Sequence, residues 1–224
     1  MQTTPQDSSD LLSVDVEKRD EAWEREFLKR LPEMPVTVLS PDPKEGPDFW
    51  PYLLVETRPD GDDSIRNVVE WLSNKGIGLV LNPTKPMPDF VFTYGMIWNF
   101  RERGEFLSDL PPEKGGRFEI KPGQQLWTGV PSESYLPKYV RTMIKQFLAA
   151  QGVFLPKVLM VNFRAEPTAP ETLAGYDLCF SIESLKSPPT HEHANIAEAI
   201  SWFLPAHYSV SLVSEKSVPG FVSL

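Results

Sequence analysis

"IRNVVEWLSNKGIGLVLNP", residues 65–83, joins an amphipathic helix to a buried strand, and the rest of the fold can be worked out from it. Its first half has the i, i+3, i+4, i+7 apolar spacing of one buried helix face. The residues on that face are Ile65, Val68, Val69 and Leu72. Lys75 and Gly76 are typical of a helix C-terminus, and the apolar run that ends at Pro83 predicts a strand.

The elements predicted before this stretch complete a first unit, and the same order of elements is predicted again in the second half of the chain. Before it, we predict a helix from Ser13 or Asp15 to about Leu31 and strands at 35–40 and 52–57. In the second half we predict a helix that starts at Pro137, strands at 157–163 and 176–185, a helix at 191–204 and a strand at 208–213. The chain is therefore predicted to contain two αββαβ units.

The two units also match residue by residue over their second helix and the strand after it, at an offset of 131 positions. The matched pairs are Ile65 and Ile196, Val69 and Ile200, Trp71 and Trp202, Leu72 and Phe203, Leu79 and Val210, and Leu81 and Leu212. Apolar matches on a helix are common by chance in such chains. The paired tryptophans and the shared element order nevertheless favour a distant tandem duplication, with the units packed together. The expected class is α/β, as an α+β sandwich.

Between the units lies "DFVFTYGMIWNFRERGEFL" (89–107), in which every second residue from Phe90 to Phe100 is aromatic or Met96. This alternation predicts one long strand. A hairpin with its turn at Pro122 and Gly123 follows it. The predicted organisation is a disordered tail at 1–13, a first unit with the hairpin segment at 14–132 and a second unit at 133–224.

The aromatic face of the predicted strand has two interpretations, a core face covered by helices or a groove for a peptide or apolar ligand. If the face forms a groove, polar side chains at the end of the strand would recognise the ligand by hydrogen bonds. The candidate binding residues are Phe92, Tyr94, Met96, Trp98, Asn99 and Arg101.

Charge and composition exclude several classes of function. With a net charge of −9, the 224-residue chain repels phosphate backbones and anionic membranes, so we expect neither nucleic acid nor membrane as a partner. No apolar run reaches the roughly 20 residues of a membrane span, and the polar N-terminus does not resemble a secretory signal. The single Cys179 fits a reducing compartment, and we expect a cytoplasmic protein.

The sequence offers no familiar catalytic motif, and we predict no catalytic residue, no metal ligand and no cofactor. The three histidines are His191, His193 and His207. A helix of about 14 residues is roughly 20 Å long, so His207 beyond its end cannot share an ion with the pair at its start. Cys179 lies between Leu178 and Phe180 in an apolar strand, where a buried structural thiol is expected.

A family resemblance is carried by "YLPKYVRTMIKQFLAAQGVFLPKVLMV" (135–161) and "IAEAISWFLPAHYSVSLVSE" (196–215). These segments resemble the C-terminal domain of the SseB (enhanced serine sensitivity protein B) family, over just over a third of the chain. "GLVLNP" (78–83) is similar to a phrase of that family's N-terminal domain, with Thr84 where the family has glycine. The resemblance implies a bacterial cytoplasmic accessory or regulatory protein and brings no active-site residue with it.

We therefore expect a non-enzymatic protein-interaction or regulatory module, such as an adaptor, a secretion-associated accessory or an immunity-like protein. Its partner would be another protein, and a homodimer is a further partner to test. The alternative is an enzyme or small-ligand-binding protein with a site in the cleft between the halves. The residues that would serve the enzyme are Asp177, Glu183, His191, His193 and Arg101.

Overall fold

A computed structural model describes residues 9–107, 126–162 and 176–224, which form six α-helices and two β-sheets. The predicted mixed α+β class is therefore confirmed. The chain divides into two compact units, a first unit of Met1–Leu107 and a second unit of Ser108–Leu224. This division lies before the boundary that we predicted at 132/133, because the strand at Trp127–Gly129 pairs with a strand of the second unit.

The first unit contains four helices and six strands in its described residues. In chain order they are α1 (Ser9–Leu12), α2 (Glu21–Arg30), β1 (Pro35–Val38), β2 (Lys44–Glu45), β3 (Pro51–Thr57), β4 (Asp63–Ser64), α3 (Ile65–Leu72), β5 (Gly78–Leu81), β6 (Phe90–Phe92) and α4 (Tyr94–Arg103). Single 3-10 turns are formed by Val16–Lys18 and Leu31–Glu33. The helix expected from Ser13 or Asp15 begins instead at Glu21, because the Asp20 carboxylate accepts a hydrogen bond from the Trp23 N–H and caps it there.

The sheet of the first unit has the strand order β4-β1-β3-β5-β6, and β2 pairs with β3. β1 runs antiparallel to β3, and β3 runs parallel to β5. Residues two apart on the central strands turn the same way, and helices α2, α3 and α4 cover that face. The strand residues in this core are Val36, Leu53, Val55, Leu79, Leu81 and Phe92. The result is two layers, with the sheet on one side and the helices on the other.

The long strand predicted over Phe90 to Phe100 is wrong, because only Phe90–Phe92 is extended and Tyr94–Arg103 forms α4. Thr93 caps the helix, since its Oγ1 accepts a hydrogen bond from the Met96 N–H at 3.4 Å. Gly104 ends it in the left-handed region at φ 75°. The alternation was misleading because the residues between the aromatics are buried as well, so this helix is enclosed around most of its circumference.

The second unit contains two helices and five strands in its described residues. They are β7 (Trp127–Gly129), α5 (Lys138–Ala150), β8 (Lys157–Asn162), β9 (Asp177–Ser181), α6 (His193–Ser201), β10 (Ser209–Val213) and β11 (Val222–Ser223). A 3-10 turn at Thr190–Glu192 precedes α6. The strand order is β10-β9-β8-β11, and β7 also pairs with β8. One face of this sheet is covered by the C-terminal segment, where Val218 packs on Leu159, Val161 and Cys179.

The three principal strands of the two units share one topology. β1-β3-β5 in the first unit and β8-β9-β10 in the second each contain an antiparallel pair followed by a parallel pair. A helix joins the two parallel strands in both, α3 in the first unit and α6 in the second. Both units therefore have the predicted αββαβ order, while the duplication that would explain it stays a prediction.

Two further predictions concern segments at the margins of the described residues. Of the tail predicted as disordered at 1–13, residues 9–12 form α1, and residues 1–8 lie outside the described part. The hairpin turn predicted at Pro122 and Gly123 also lies outside it. None of the described helices has the length and apolar character needed to cross a membrane.

Candidate functional site

The six residues that were predicted to line a groove lie on β6 and α4, and five of them are buried. The buried ones are Phe92, Tyr94, Met96, Trp98 and Asn99. Phe92 and Met96 belong to the hydrophobic core of the first unit. The aromatic residues are thus part of the core, as in the first of the two interpretations, and these buried side chains do not form a surface for a ligand.

The polar members of that set have structural partners. The Asn99 side chain donates a hydrogen bond from Nδ2 to the carbonyl O of Glu105 at 2.8 Å, which fastens the chain beyond α4. Arg101 donates from Nη1 to the Ser73 Oγ at 2.8 Å, and the Tyr94 hydroxyl donates to the Ser73 carbonyl. α4 is thereby held to the end of α3.

His191 lies in the turn before α6, His193 is the first residue of α6, and His207 lies in the segment between α6 and β10. His191 is exposed, and its Nε2 lies 3.8 Å from a carboxylate oxygen of the adjacent Glu192. The Nε2 of His193 lies 3.0 Å from the Pro188 carbonyl O, which can only accept, so this nitrogen carries the hydrogen of the bond. Within the described residues no three side chains of His, Cys, Asp or Glu are grouped to hold a metal ion.

Glu183, a candidate for the enzymatic alternative, is part of a polar network at the carboxyl ends of β9 and β10. It accepts hydrogen bonds from the Ser214 hydroxyl at 2.5 Å and from the backbone N–H of Glu215 at 2.9 Å. These bonds, first the hydroxyl and then the amide, lower the pKa of Glu183. Such a carboxylate stays ionised at neutral pH and acts as an acceptor that ties two loops together.

Glu215 extends this network toward the start of β8. Its carboxylate receives the Lys157 Nζ at 2.8 Å and the Ser181 hydroxyl at 2.6 Å. The pKa of Glu215 is lowered by these two groups in that order. Asp177, the other acidic candidate, lies buried at the opposite end of β9. The structure therefore does not bring Asp177 and Glu183 to one end of the sheet.

The first unit has a polar network at the equivalent place, the carboxyl ends of β3 and β5, but there the central carboxylate is buried. Asp89 lies at its centre and binds the Arg19 Nη2 at 2.7 Å, the Lys85 Nζ at 2.6 Å and the Asn82 Nδ2 at 2.6 Å. Burial alone would raise the pKa of Asp89, but hydrogen bonds from Lys85, Arg19 and Asn82 outweigh it and lower the pKa. The network fastens the 82–89 loop to the N-terminal segment.

Cys179 is the buried structural thiol that the sequence predicted. Its side chain is fully buried in the second unit. Burial, and then the neighbouring Asp177 charge, raise the pKa of the thiol well above its usual range. A thiol held in its protonated form is a poor nucleophile and a poor metal ligand.

The most exposed pair of adjacent large apolar side chains in the described residues is Phe154 and Leu155, between α5 and β8. Their exposed fractions are 75% and 78%. The residues 153–156 lie between the helix and the strand that the sequence predicts, and no site was predicted there. Three consecutive apolar residues, Val153, Phe154 and Leu155, between a helix-ending glycine and a proline are the signal in the sequence, since such a connection is usually polar.

The loop that carries these side chains is fixed at both ends. On one side Gly152 takes φ 81° to end α5, and the buried Val153 donates its N–H to the Leu148 carbonyl at 2.8 Å. On the other side Pro156 is buried and accepts a hydrogen bond from the Leu224 N–H at 2.9 Å. Phe154 and Leu155 are therefore presented to solvent by an ordered backbone.

Comparison with known proteins adds no relative to this picture. No family model, no curated protein and no solved structure matches the chain.

Proposed function

We propose that this chain is a non-enzymatic protein-interaction module of the bacterial cytoplasm, an adaptor, secretion-associated accessory or immunity-like protein, and that it binds a protein partner through Phe154 and Leu155. The observation that carries the proposal is the exposure of both side chains on a loop whose neighbours, Val153 and Pro156, are buried. The cytoplasmic and bacterial setting rests on the resemblance to the SseB family.

Leaving two large apolar side chains in water costs free energy that a partner recovers by covering them. Burying an exposed Phe or Leu side chain stabilises a complex by about 1.5–3 kcal/mol. A fixed backbone loses little conformational freedom on binding, so more of that energy appears as affinity. Exposed apolar groups held in this way resemble the anchor residues that carry most of the binding energy in protein interfaces.

The net charge of the chain indicates which kind of partner surface would be attracted to it. The net charge of −9 gives the chain a negative field at neutral pH. A partner with a basic surface around an apolar pocket would be attracted before contact, and the association rate would fall as salt screens that field. The expected partner is therefore a basic protein with a hydrophobic recess.

The experiment compares partner capture by the wild-type chain and by Phe154→Ser/Leu155→Ser. The full chain is immobilised, bound proteins are identified by mass spectrometry, and the affinity for the purified partner is measured by calorimetry. We expect a stoichiometric protein partner whose affinity falls by roughly 100-fold or more in the double variant, since two anchors are lost.

Phe49→Ser is the matched control, because Phe49 is 80% exposed on a loop of the first unit. The control should bind like the wild type. Equal losses in both variants would show that binding is unspecific adhesion to apolar groups. An unchanged affinity in the double variant, or a bound metabolite or metal in place of a protein, would contradict the proposal.

A further inference from the structure

The strand β10 leaves one edge of the second sheet open. It pairs with β9 on one side, and among the described residues no strand lies on its other side. With five residues it is the longest of the strands that end either sheet, since β4 and β11 have two residues and β6 and β7 have three. Such an edge is a template for another strand.

The backbone groups on this edge can be assigned from one hydrogen bond. The Ile182 N–H donates to the Val213 carbonyl O at 3.1 Å, so the backbone of Val213 faces β9. Alternate residues of a strand direct their backbone groups to opposite sides. The N–H and C=O groups of Val210 and Leu212 therefore point out of the sheet, toward the open edge.

The first unit shows what covers the equivalent edge. β5 occupies the place of β10 in the shared topology, and β6 pairs with it in antiparallel direction. The register pairs Leu79 with Phe92 and Leu81 with Phe90. An antiparallel strand is thus the occupant that this chain itself uses at that position.

The residues of β10 are suited to pair with a second copy of themselves. Edge strands that must stay single usually carry a charge, a proline or a bulge, and the sequence Ser-Val-Ser-Leu-Val contains neither charge nor proline. In an antiparallel pair centred on Ser211, Val210 lies opposite Leu212 of the other copy, Ser211 lies opposite Ser211, and Ser209 lies opposite Val213. Apolar side chains then meet on one face of the sheet, and the two Ser211 side chains meet at the centre of the other.

We propose that two copies of this chain form a homodimer by antiparallel pairing of β10 with β10 about Ser211. In this dimer Val210 of one copy and Leu212 of the other exchange both backbone hydrogen bonds, and the two sheets become one continuous sheet. Because a single pair of five-residue strands makes a small interface, we expect a transient dimer with a dissociation constant on the order of 10 μM.

Sedimentation of the full chain over a range of concentrations tests the pairing. Wild type should shift from monomer to dimer. Ser211→Lys and Ser211→Glu each place like charges opposite each other, and the dimer dissociation constant should rise roughly tenfold or more in each. An equimolar mixture of the two variants should recover dimer, because opposite charges then meet across the axis. Recovery in the mixture also shows that the variants are folded.

Leu212→Pro is a second variant, which removes an outward N–H and the leucine side chain, and the N–H that is lost is not one that bonds to β9. It should remain monomeric at concentrations where the wild type is a dimer. The proposal is overturned if wild type is monomeric throughout, or if the mixture of the two charge variants stays monomeric. It is also overturned if the Val210 and Leu212 amides are protected from hydrogen exchange in a monomer, since residues of the same chain would then cover the edge.

Discussion

The two units share the order of three strands and a connecting helix but differ in how they complete it. In the first unit β6 closes the edge of β5, and α4 follows directly and packs into the same core. In the second unit β10 has no such neighbour among the described residues. The same three strands are thus followed by a covering strand in the first unit, whereas the described part of the second unit contains none, and this difference is the basis of the proposed pairing.

The helices that connect the parallel strands, α3 and α6, also differ in how many of their residues are buried. α3 buries four residues, Ile65, Val68, Val69 and Leu72, whereas Ile200 is the buried residue of α6. Trp71 and Trp202, which occupy matching positions in the sequence, have exposed fractions of 51% and 8%. The matched tryptophans therefore do different things, one on the surface and one in the interior.

The largest expected effect separates these two tryptophans. Trp202→Ala should lower the free energy of unfolding of the second unit by about 3–5 kcal/mol, because a large buried side chain is lost. Trp71→Ala should cost less than about 1 kcal/mol, since the ring is half exposed and the Lys75 ammonium that lies 5.0 Å from its centroid is also exposed. Hydrogen exchange in denaturant, read for each unit, measures both values, and similar losses at the two positions would remove the contrast.

The second largest effect is the dependence of the stability of the first unit on pH, through Asp89. The pKa of Asp89 is lowered in the folded state, so its contribution to stability is present above the unfolded pKa of about 4 and is lost as pH falls through the folded value. Asp89→Asn leaves the nearly buried Arg19 without its carboxylate and should cost about 3 kcal/mol at neutral pH. The gap between wild type and variant should narrow as pH falls, and unfolding at pH 7 and about pH 3 measures it.

Glu183→Gln is the matched control in the second unit. The carboxylate lies in a half-exposed loop network, and its replacement should cost less than about 1 kcal/mol at neutral pH. Asp89→Asn should thus affect the first unit far more than Glu183→Gln affects the second. A gap for Asp89→Asn that stays constant with pH would show that the buried network does not depend on the charge of Asp89.

Much of the order of helices and strands could be predicted from the sequence, because the apolar residues in these elements recur with the period of a helix or form a short continuous run typical of a buried strand. The stripe of Ile65, Val68, Val69 and Leu72 identified α3, and the apolar runs at 52–57 and 157–163 identified β3 and β8. The region 93–103 could not be assigned by period, because a helix buried on most sides has no polar face to reveal its turn. Its capping residues, Thr93 and Gly104, were the better signal.

The candidate sites were harder to predict for a different reason. Exposure of Phe154 and Leu155 depends on where the ends of their loop are fastened, and pairing at the edge of β10 depends on which strands become neighbours. Both are properties of contacts between distant parts of the chain, and local patterns do not encode them. The offset of 131 did place Leu79 with Val210 and Leu81 with Leu212, which hold matching positions in their sheets.

These two pairs of residues give the most direct test of a closed edge in the first unit and an open one in the second. Residue-resolved amide hydrogen exchange should be measured on a sample dilute enough to be monomeric. The Leu79 and Leu81 amides should be protected by β6, whereas the Val210 and Leu212 amides should exchange rapidly and gain protection as concentration rises. Protection of Val210 and Leu212 in the dilute sample equal to that of Leu79 and Leu81 would contradict the account.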